Sequence, residues 1–310
     1  MMRRLLSLVL ALALLCGAAL AEGEFPELNA DGFLNEGEFV YENAEEGVWR
    51  YVSQTLKVEI YRRTQTKPNQ QWFEAEIWSR DGEVFRMIPN DPDKRMKSQE
   101  WPYKIARKNQ TVFALSSDYA QLRISQRKRV GIILRDGQII SDRTLAKNKG
   151  NFPNLDTLAL FPDGDMQVYW SNELTAEQYQ EAGATDVLAF GPWLIRDGEL
   201  NTAALKKYGT SAAQRTAIGM VEKGHYFAMM LEGRYTKSRG AGISFLAEKL
   251  LEKGCVTAFN LDGGQTSCIL FMGHQLCQVN KNNPRASSRR TAEILGIGTS
   301  AQVAAVDDPW

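Results

Sequence analysis

Short strand-like runs separated by Asp-Gly pairs recur along this chain, and they constrain its fold more than any other feature. Both residue types tolerate the backbone conformations that tight hairpin turns require, so each pair predicts a reversal of chain direction. The pairs are Asp81-Gly82, Asp136-Gly137, Asp163-Gly164 and Asp197-Gly198. The run Gln54–Tyr61 alternates apolar and polar residues, as a half-buried strand does. The sequence therefore predicts many strands joined by hairpins.

Helical signals are fewer and lie between the strands. Thr175-Ala-Glu-Gln178 is a capping box that predicts a helix ending near Gly183. Ile243–Lys253 is amphipathic and is followed by Gly254, and Trp101–Lys108 predicts a short helix. Because strands and helices alternate irregularly, we expect an α/β fold of the mixed α+β kind. Its architecture should be a mixed, twisted β-sheet flanked by helices in a single main domain.

The N-terminus has the pattern of a secretory signal peptide. Arg3-Arg4 precedes the apolar run Leu5–Leu15, and Ala19-Leu20-Ala21 fits a cleavage site. Cleavage near Ala21 predicts a secreted, periplasmic or cell-surface protein, and no other stretch is apolar enough to span a bilayer. The predicted organisation is a signal peptide (1–21), a poorly ordered lead-in (22–47), a main domain (48–300) and a C-terminal tail (301–310).

Charge and cysteine content narrow the functional classes. The chain has 37 Lys and Arg residues against 37 Asp and Glu residues, which argues against an electrostatic nucleic-acid binder. Three cysteines follow the signal peptide: Cys255, Cys268 and Cys277. A hairpin turning at Met272-Gly273 would place Cys268 opposite Cys277, either as a disulfide or as two buried thiols. No cysteine spacing resembles a zinc site.

The segment Asn260-Leu-Asp262-Gly263-Gly264 is the strongest local signal for a site. A carboxylate and two glycines leave a buried strand there, where binding loops often lie, and glycine lets a ligand approach the backbone. The competing interpretation is a tight turn in which Asp262 caps its own loop. Asp118 also ends a strand, so the two carboxylates could form an acid/base or nucleophile/base pair.

Arginines at strand ends are candidate anion ligands. Arg215 precedes one apolar strand and Arg234 follows another, and such guanidinium groups can hold a phosphate or a carboxylate bidentately. The alternative for each is a surface salt bridge. With two histidines in the chain, a histidine-rich metal centre is excluded. We expect no required cofactor; calcium near the carboxylates is conceivable, but no regular oxygen-rich loop supports it.

Taken in order, several segments resemble one family. They are Ala114-Leu-Ser-Ser-Asp118-Tyr119, Phe190-Gly-Pro-Trp-Leu194, Arg215-Thr-Ala-Ile-Gly219, Leu231-Glu-Gly-Arg234, Ser238-Arg-Gly240, Asn260-Leu-Asp-Gly-Gly264 and Arg289. This series resembles the phosphodiester glycosidase domain of the N-acetylglucosamine-1-phosphodiester α-N-acetylglucosaminidase (uncovering enzyme) family. Bacterial members are often labelled exopolysaccharide-biosynthesis proteins. The resemblance runs from about Ser53 to Ile297.

The resemblance implies an exported hydrolase that cleaves the sugar C1–O bond of a sugar-1-phosphodiester in surface glycans or glycoconjugates. The implied catalytic carboxylates are Asp262 and Asp118. The implied ligands of the sugar or phosphate are Arg215, Arg234, Arg289, Gly263, Gly264, Asn260, Thr266 and Ser238. The expected partner is a phosphosugar or a cell-surface polysaccharide.

The chain departs from the family pattern at several positions, including Ala292-Glu293, Phe245 and two loops. Relatives commonly have glycine in place of Ser117, and Gly-Ser-Ser or Gly-Ser-Thr in place of Gln265-Thr266-Ser267. Gln265 adds bulk at the expected substrate face. A fold can persist after its chemistry is lost, so the alternative function is a non-catalytic protein that binds surface glycans or phosphosugars, or assembles polysaccharide, on the same scaffold.

Overall fold

The computed structural model describes residues 25–94, 96–118, 130–143, 155–278 and 289–308. The predicted signal peptide lies outside these residues. The strands are β1 (Phe39–Asn43), β2 (Val48–Val52), β3 (Leu56–Thr66), β4 (Asn69–Ser79), β5 (Arg86–Pro89), β6 (Thr111–Leu115), β7 (Gly131–Arg135), β8 (Gln138–Arg143), β9 (Asp156–Leu160), β10 (Met166–Tyr169), β11 (Asp186–Phe190), β12 (Trp193–Arg196), β13 (Glu199–Leu200), β14 (Arg215–Glu222), β15 (His225–Leu231), β16 (Thr257–Leu261), β17 (Ile269–Phe271), β18 (His274–Gln275) and β19 (Glu293–Thr299). The helices are α1 (Pro102–Lys108), α2 (Ala176–Glu181), α3 (Thr202–Tyr208) and α4 (Ile243–Glu252).

The strands form three sheets. Their strand orders are β1-β2-β3-β4-β15-β14-β16-β12-β13, β10-β9-β11-β7-β8 and β18-β17-β6-β19-β5. Every pairing between described strands is antiparallel, so the single mixed sheet predicted from the sequence is wrong. Short turns account for the pairs of consecutive strands, such as β3 with β4, because a parallel pair needs a long crossover. Other antiparallel pairs, such as β4 with β15, join segments that are distant in the sequence. The fold is mostly antiparallel sheet with few helices.

The register of the nine-stranded sheet gathers the ends of three strands at one edge. Arg215, the first residue of β14, pairs with Leu231, the last residue of β15. Thr216 pairs with Leu261, the last residue of β16. The segments that leave β15 and β16 therefore emerge beside the start of β14, although they lie far apart in the sequence.

The two faces of this sheet pack against different partners. One face shares a hydrophobic core with the two smaller sheets, to which Ile218, Phe113 and Leu158 each contribute a buried side chain. The other face packs against α4, whose buried residues are Ile243, Leu246, Ala247 and Leu250. Their spacing of three and four residues places them on one side of the helix, which confirms the predicted amphipathic helix.

Local signals account for one further predicted helix and for one that the sequence analysis did not predict. The capping box at α2 is confirmed, since Thr175 and Gln178 each accept a hydrogen bond from the other's backbone N–H. Helix α3 begins after Asn201, whose side-chain oxygen accepts a hydrogen bond of 3.1 Å from the Ala204 N–H. Asparagine is a preferred N-cap, so this signal was present in the sequence.

Both ends of the described chain are attached to the domain. Strand β1 falls within the segment predicted to be a poorly ordered lead-in; it pairs with β2, and Phe25 packs against the rings of Phe39 and Tyr41. In the predicted tail, the carbonyl groups of Ala305 and Asp308 accept hydrogen bonds from Arg107. Over the described residues, we find no helix with the length and apolar character needed to cross a membrane.

The predicted hairpin at Met272-Gly273 joins β17 to β18, with Phe271 opposite His274. Both turn residues have positive φ, as a tight turn of this kind requires. Cys268 and Cys277 flank the hairpin, and both are buried thiols that form no disulfide with each other.

Candidate functional site

The glycine loop, residues 262–264, is held close to its neighbours by backbone hydrogen bonds. The Asp262 N–H donates to the Ser117 carbonyl oxygen at 3.1 Å, and the Gly264 N–H donates to the Gln214 carbonyl oxygen at 3.0 Å. A Cβ at Gly263 would lie 3.0 Å from that same Gln214 oxygen, and Gly264 has a φ of +63°. A larger residue at position 263 would therefore crowd the backbone of Gln214, which directly precedes β14.

These contacts join the loop to the end of β6. The Ser116 hydroxyl donates to the Asp262 carbonyl oxygen at 3.1 Å, which adds to the bond between Asp262 and Ser117. Asp118 is the next residue along the chain. The structure thus brings the backbones of both predicted catalytic aspartates into one neighbourhood, and both side chains are buried.

Asp118 lies in a buried ion cluster. Its Oδ2 accepts hydrogen bonds of 3.3 Å from Arg135 Nη2 and from the Ala189 N–H. Arg135 is fully buried, and its Nη2 lies 2.8 Å from Glu293 Oε2. Burial opposes the charge of Arg135, but the carboxylates of Glu293, Asp118 and Asp186 raise its pKa above the ordinary value. These contacts are those of a structural ion pair.

Asp186 completes this cluster on the β11 side. Its Oδ2 accepts a hydrogen bond of 3.2 Å from the Met87 N–H. Burial, only partly offset by the Arg135 charge, raises the pKa of Asp186 to about 6. One guanidinium group therefore faces three carboxyl groups, and its removal would leave all of them without their cation.

Two arginines flank the glycine loop on its other side. A Cβ at Gly263 would lie 3.7 Å from Arg215 Nη1, and a Cβ at Gly264 would lie 3.9 Å from Arg234 Nη1. Burial and then the Arg234 charge lower the pKa of Arg215. Neither arginine has an ion-pair partner among the residues that the structure describes. Two adjacent cations without acidic partners favour an anionic ligand.

The other predicted ligands divide into two groups. The Thr266 hydroxyl is buried next to the glycine loop and has no hydrogen-bond partner within the described ranges. Arg289 meets the loop through its backbone, since its N–H donates to the Gln265 carbonyl oxygen at 2.8 Å. The Ser238 hydroxyl instead donates to the Glu232 carbonyl oxygen at 2.7 Å and accepts from the Gln71 N–H, so it holds the turn that carries Arg234.

A cleft of about 630 Å³ opens beside the loop, and Arg215 and Asn260 line it. Asn260 Nδ2 donates to the Gly191 carbonyl oxygen at 2.8 Å. In the described part of the chain, neither Asn260 Oδ1 nor Arg215 Nε has a hydrogen-bond partner. Asn260 Oδ1 can accept and Arg215 Nε can donate a hydrogen bond, so both residues contribute polar groups to this part of the fold.

Two buried carboxyl groups near the site were missed by the sequence analysis. Asp156 lines the cleft and accepts a hydrogen bond from the Trp193 N–H at 3.3 Å; burial raises its pKa to about 6. Glu232 lies two residues before Arg234, and burial raises the pKa of Glu232 to about 7. The only signal for Asp156 was a charged residue at the start of an apolar strand, and Glu232 lay within a motif already noted.

A metal site has no obvious location here. Among residues 25–94, 96–118, 130–143, 155–278 and 289–308, no group of three or more His, Cys, Asp and Glu side chains is placed to hold an ion. The expectation about calcium therefore stays a prediction.

Comparisons with known proteins concern the family and the fold of the chain. The phosphodiester glycosidase family profile matches residues 109–298. The chain is 26% identical over 191 residues to the SPbeta prophage-derived uncharacterized protein YomE of Bacillus subtilis, a match covering 61% of this chain and 29% of that protein. It is 28% identical over 152 residues to the human N-acetylglucosamine-1-phosphodiester alpha-N-acetylglucosaminidase, covering 44% of this chain and 29% of the enzyme. These matches thus span under a third of each relative.

Two solved structures share the fold. The zebrafish N-acetylglucosamine-1-phosphodiester alpha-N-acetylglucosaminidase catalytic domain, auto-inhibited by its pro-peptide, superposes with a TM-score of 0.62 at 18% identity. That match covers 87% of this chain and 90% of the other. A hypothetical protein from Synechocystis superposes with a TM-score of 0.50 at 13% identity, covering 79% and 62%. At these identities the likeness concerns the fold alone.

Proposed function

Because the chain belongs to the phosphodiester glycosidase family, we propose that it is an exported hydrolase of sugar-1-phosphodiesters. Its substrate is a GlcNAc-1-phosphodiester-like linkage in a surface glycan or glycoconjugate, and the bond cleaved joins the sugar C1 to the phosphodiester oxygen. The observation that carries the proposal is the pair of guanidinium groups, Arg215 and Arg234, that flank the glycine loop without acidic partners in the described chain.

The arginines would bind the phosphodiester and stabilise the charge that develops on the leaving oxygen. A phosphate monoester is a good leaving group, so the site needs positive charge more than it needs a strong general acid. Arg215 is half-buried, which strengthens its interaction with an anion. Arg234 is more exposed and would contact the phosphate from the open side.

Asp262 is the proposed catalytic carboxylate. Asp262 lies two residues after Asn260, which lines the cleft, and directly before the two glycines that Arg215 and Arg234 flank. When the bond between the sugar C1 and the phosphodiester oxygen breaks, the leaving phosphate takes the electron pair and the sugar acquires oxocarbenium character. Water adds to C1 and gives a proton to Asp262, so the products are a free sugar and a phosphomonoester.

The test is hydrolysis of a simple α-GlcNAc-1-phosphodiester and of UDP-N-acetylglucosamine by the purified protein and by Asp262→Asn. We expect the substitution to lower kcat by about 10²- to 10³-fold, as loss of a major transition-state interaction does. Asp197→Asn is the matched control, because Asp197 makes the same chemical change at an exposed hairpin turn. Turnover by Asp262→Asn within about twofold of the wild type would contradict the assignment.

A second candidate function is a non-catalytic phosphosugar-binding protein on this scaffold. Two observations favour it: Asp118 is engaged by Arg135, and Gln265 is an exposed residue within the loop where relatives have a smaller one. This candidate predicts that the wild type binds a GlcNAc-1-phosphodiester without releasing sugar, and that Gln265→Gly creates turnover. Release of sugar by the wild type would exclude it.

A further inference from the structure

Two exposed aromatic side chains line the cleft beside the glycine loop. Trp170 is 44% exposed and Tyr208 is 49% exposed, and both belong to the cleft wall. Among the described residues, Phe25 is the other large aromatic side chain with this exposure, and it lies near the first strand. Large aromatic groups usually bury most of their surface, so two exposed rings in one cleft mark an interaction site.

The Trp170 ring is held in place. It packs edge to face against Trp193, with ring centroids 5.0 Å apart. The backbone N–H of Trp170 donates to Glu173 Oε2 at 3.1 Å, and both Glu173 oxygens accept hydrogen bonds from Arg196 at 2.7 and 2.8 Å. This bidentate pair fixes the turn that carries Trp170, so the ring is positioned before any ligand arrives.

Tyr208 belongs to a helix that also contacts Trp193. It is the last residue of α3, and Lys207 Nζ lies 4.8 Å from the centre of its ring. The helix begins at Asn201, whose Nδ2 donates to the Trp193 carbonyl oxygen at 3.0 Å. Trp193 therefore contacts Trp170 through its ring and the start of α3 through its backbone. Trp193 thus contacts Trp170 itself and the helix that ends at Tyr208.

The chemistry of the lining suits a sugar. A pyranose presents a face of C–H groups that packs on an aromatic ring, while its hydroxyl groups need acceptors and donors around the rim. Asn260 and Asp156 are polar residues of the same cleft lining. Its volume of about 630 Å³ lies within the range of roughly 300–1,000 Å³ typical of small-molecule sites.

We propose that Trp170 and Tyr208 form a stacking subsite for a neutral pyranose unit of a glycan chain, adjacent to the anion site at Arg215 and Arg234. The position of this subsite next to a reaction centre rests on the proposed function, but the binding of the neutral sugar does not. The substrate would then be an oligosaccharide or polysaccharide that carries the phosphodiester, and its sugar units would contribute to affinity.

Calorimetric titration of the full chain with neutral pentasaccharides tests the subsite. The probes are pentasaccharides of N-acetylglucosamine, glucose, mannose and xylose, with uridine monophosphate as a nucleobase probe. We expect saturable binding of at least one pentasaccharide, weakened about tenfold by Trp170→Ala and by Tyr208→Ala. Trp170→Phe and Tyr208→Phe should retain most of the affinity, because each keeps an aromatic ring. Phe25→Ala, an equally exposed ring outside the cleft, should change nothing.

Three results would overturn the subsite: no saturable binding of any pentasaccharide, binding that both alanine variants leave unchanged, or ring-dependent binding of uridine monophosphate alone. The last result would assign the rings to a nucleobase. Failure of the proposed function is distinguishable, since it would appear as absent phosphodiester hydrolysis while pentasaccharide binding still depended on Trp170 and Tyr208.

Discussion

The ends of β6 and β16 lie side by side, but the aspartate that follows each strand has different surroundings. Asp118 is bonded to Arg135, a fully buried guanidinium group that also binds Glu293. Asp262 begins a glycine loop that Arg215 and Arg234 approach, and neither of these arginines forms an ion pair with another described residue. The first region has internally paired charges, and the second has cations with no acidic partner among the described residues.

This difference separates stability from binding. A buried charge that loses its partner is strongly destabilising, so the Arg135 cluster, which joins β7, β11 and β19 to the end of β6, tolerates little change. An unpaired cation near a cleft costs stability when nothing is bound and lowers the free energy of the complex when an anion is present. An arginine therefore stabilises the fold in the first region and lowers its stability in the second. The two regions are in contact through Ser116 and Ser117.

The largest expected effect is on the paired region. We expect Arg135→Met to lower the free energy of unfolding by about 3–5 kcal/mol, because three carboxyl groups lose their cation. The loss should be smaller at pH 5 than at pH 8, because an unpaired buried carboxyl group has a raised pKa and its protonated form is stable at the lower pH. Urea unfolding of the wild type and the variant at both pH values measures this difference in the free energy of unfolding, with Arg215→Met as the matched control.

Arg215→Met should change the free energy of unfolding by less than about 1 kcal/mol, since Arg215 has no described ion-pair partner and lies beside a like charge. An equal loss of stability in Arg135→Met and Arg215→Met would contradict the assignment of a structural role to Arg135 alone.

The two aspartates provide the next comparison. We expect Asp118→Asn to lower the free energy of unfolding by about 1–3 kcal/mol, since a charged hydrogen bond to Arg135 is lost, while kcat per folded molecule stays within about threefold. Asp262→Asn should show the reverse pattern. Thermal unfolding and sugar release measured on the same preparations check both. A loss of turnover in Asp118→Asn with unchanged unfolding would make Asp118 the catalytic group instead.

The smallest of these effects concerns the anion site. We expect Arg215→Lys to lower kcat/KM for a sugar-1-phosphodiester by about tenfold, because an ammonium group keeps the charge but loses the bidentate geometry. Arg239→Lys is the control, as Arg239 is an exposed arginine in the turn that follows Arg234. Steady-state kinetics with both variants measure the change. Equal values for the two would remove Arg215 from the phosphate site.

Much of the fold followed from local patterns in the sequence. Alternation predicted the strands around Gln54–Tyr61, the capping box predicted α2, and the spacing of apolar residues predicted α4. These signals act between residues a few positions apart, so they can be read without the fold. The arrangement of the sheets could not be read in this way, because strand pairing depends on contacts between distant segments, such as β4 with β15.

The sequence by itself determined the family, the glycine loop and the arginines that accompany it. The tertiary structure decided that Asp118 pairs with Arg135, which reaches it from β7 and is itself bound by Glu293 of β19, and that the loop after Asp262 lies beside two arginines without acidic partners in the described chain. It also brought Asp156, Trp170 and Tyr208 into one cleft with Arg215. Local patterns set the secondary structure, whereas the electrostatic surroundings of a side chain are set by whatever the fold places next to it, and that placement is not encoded in its sequence neighbours.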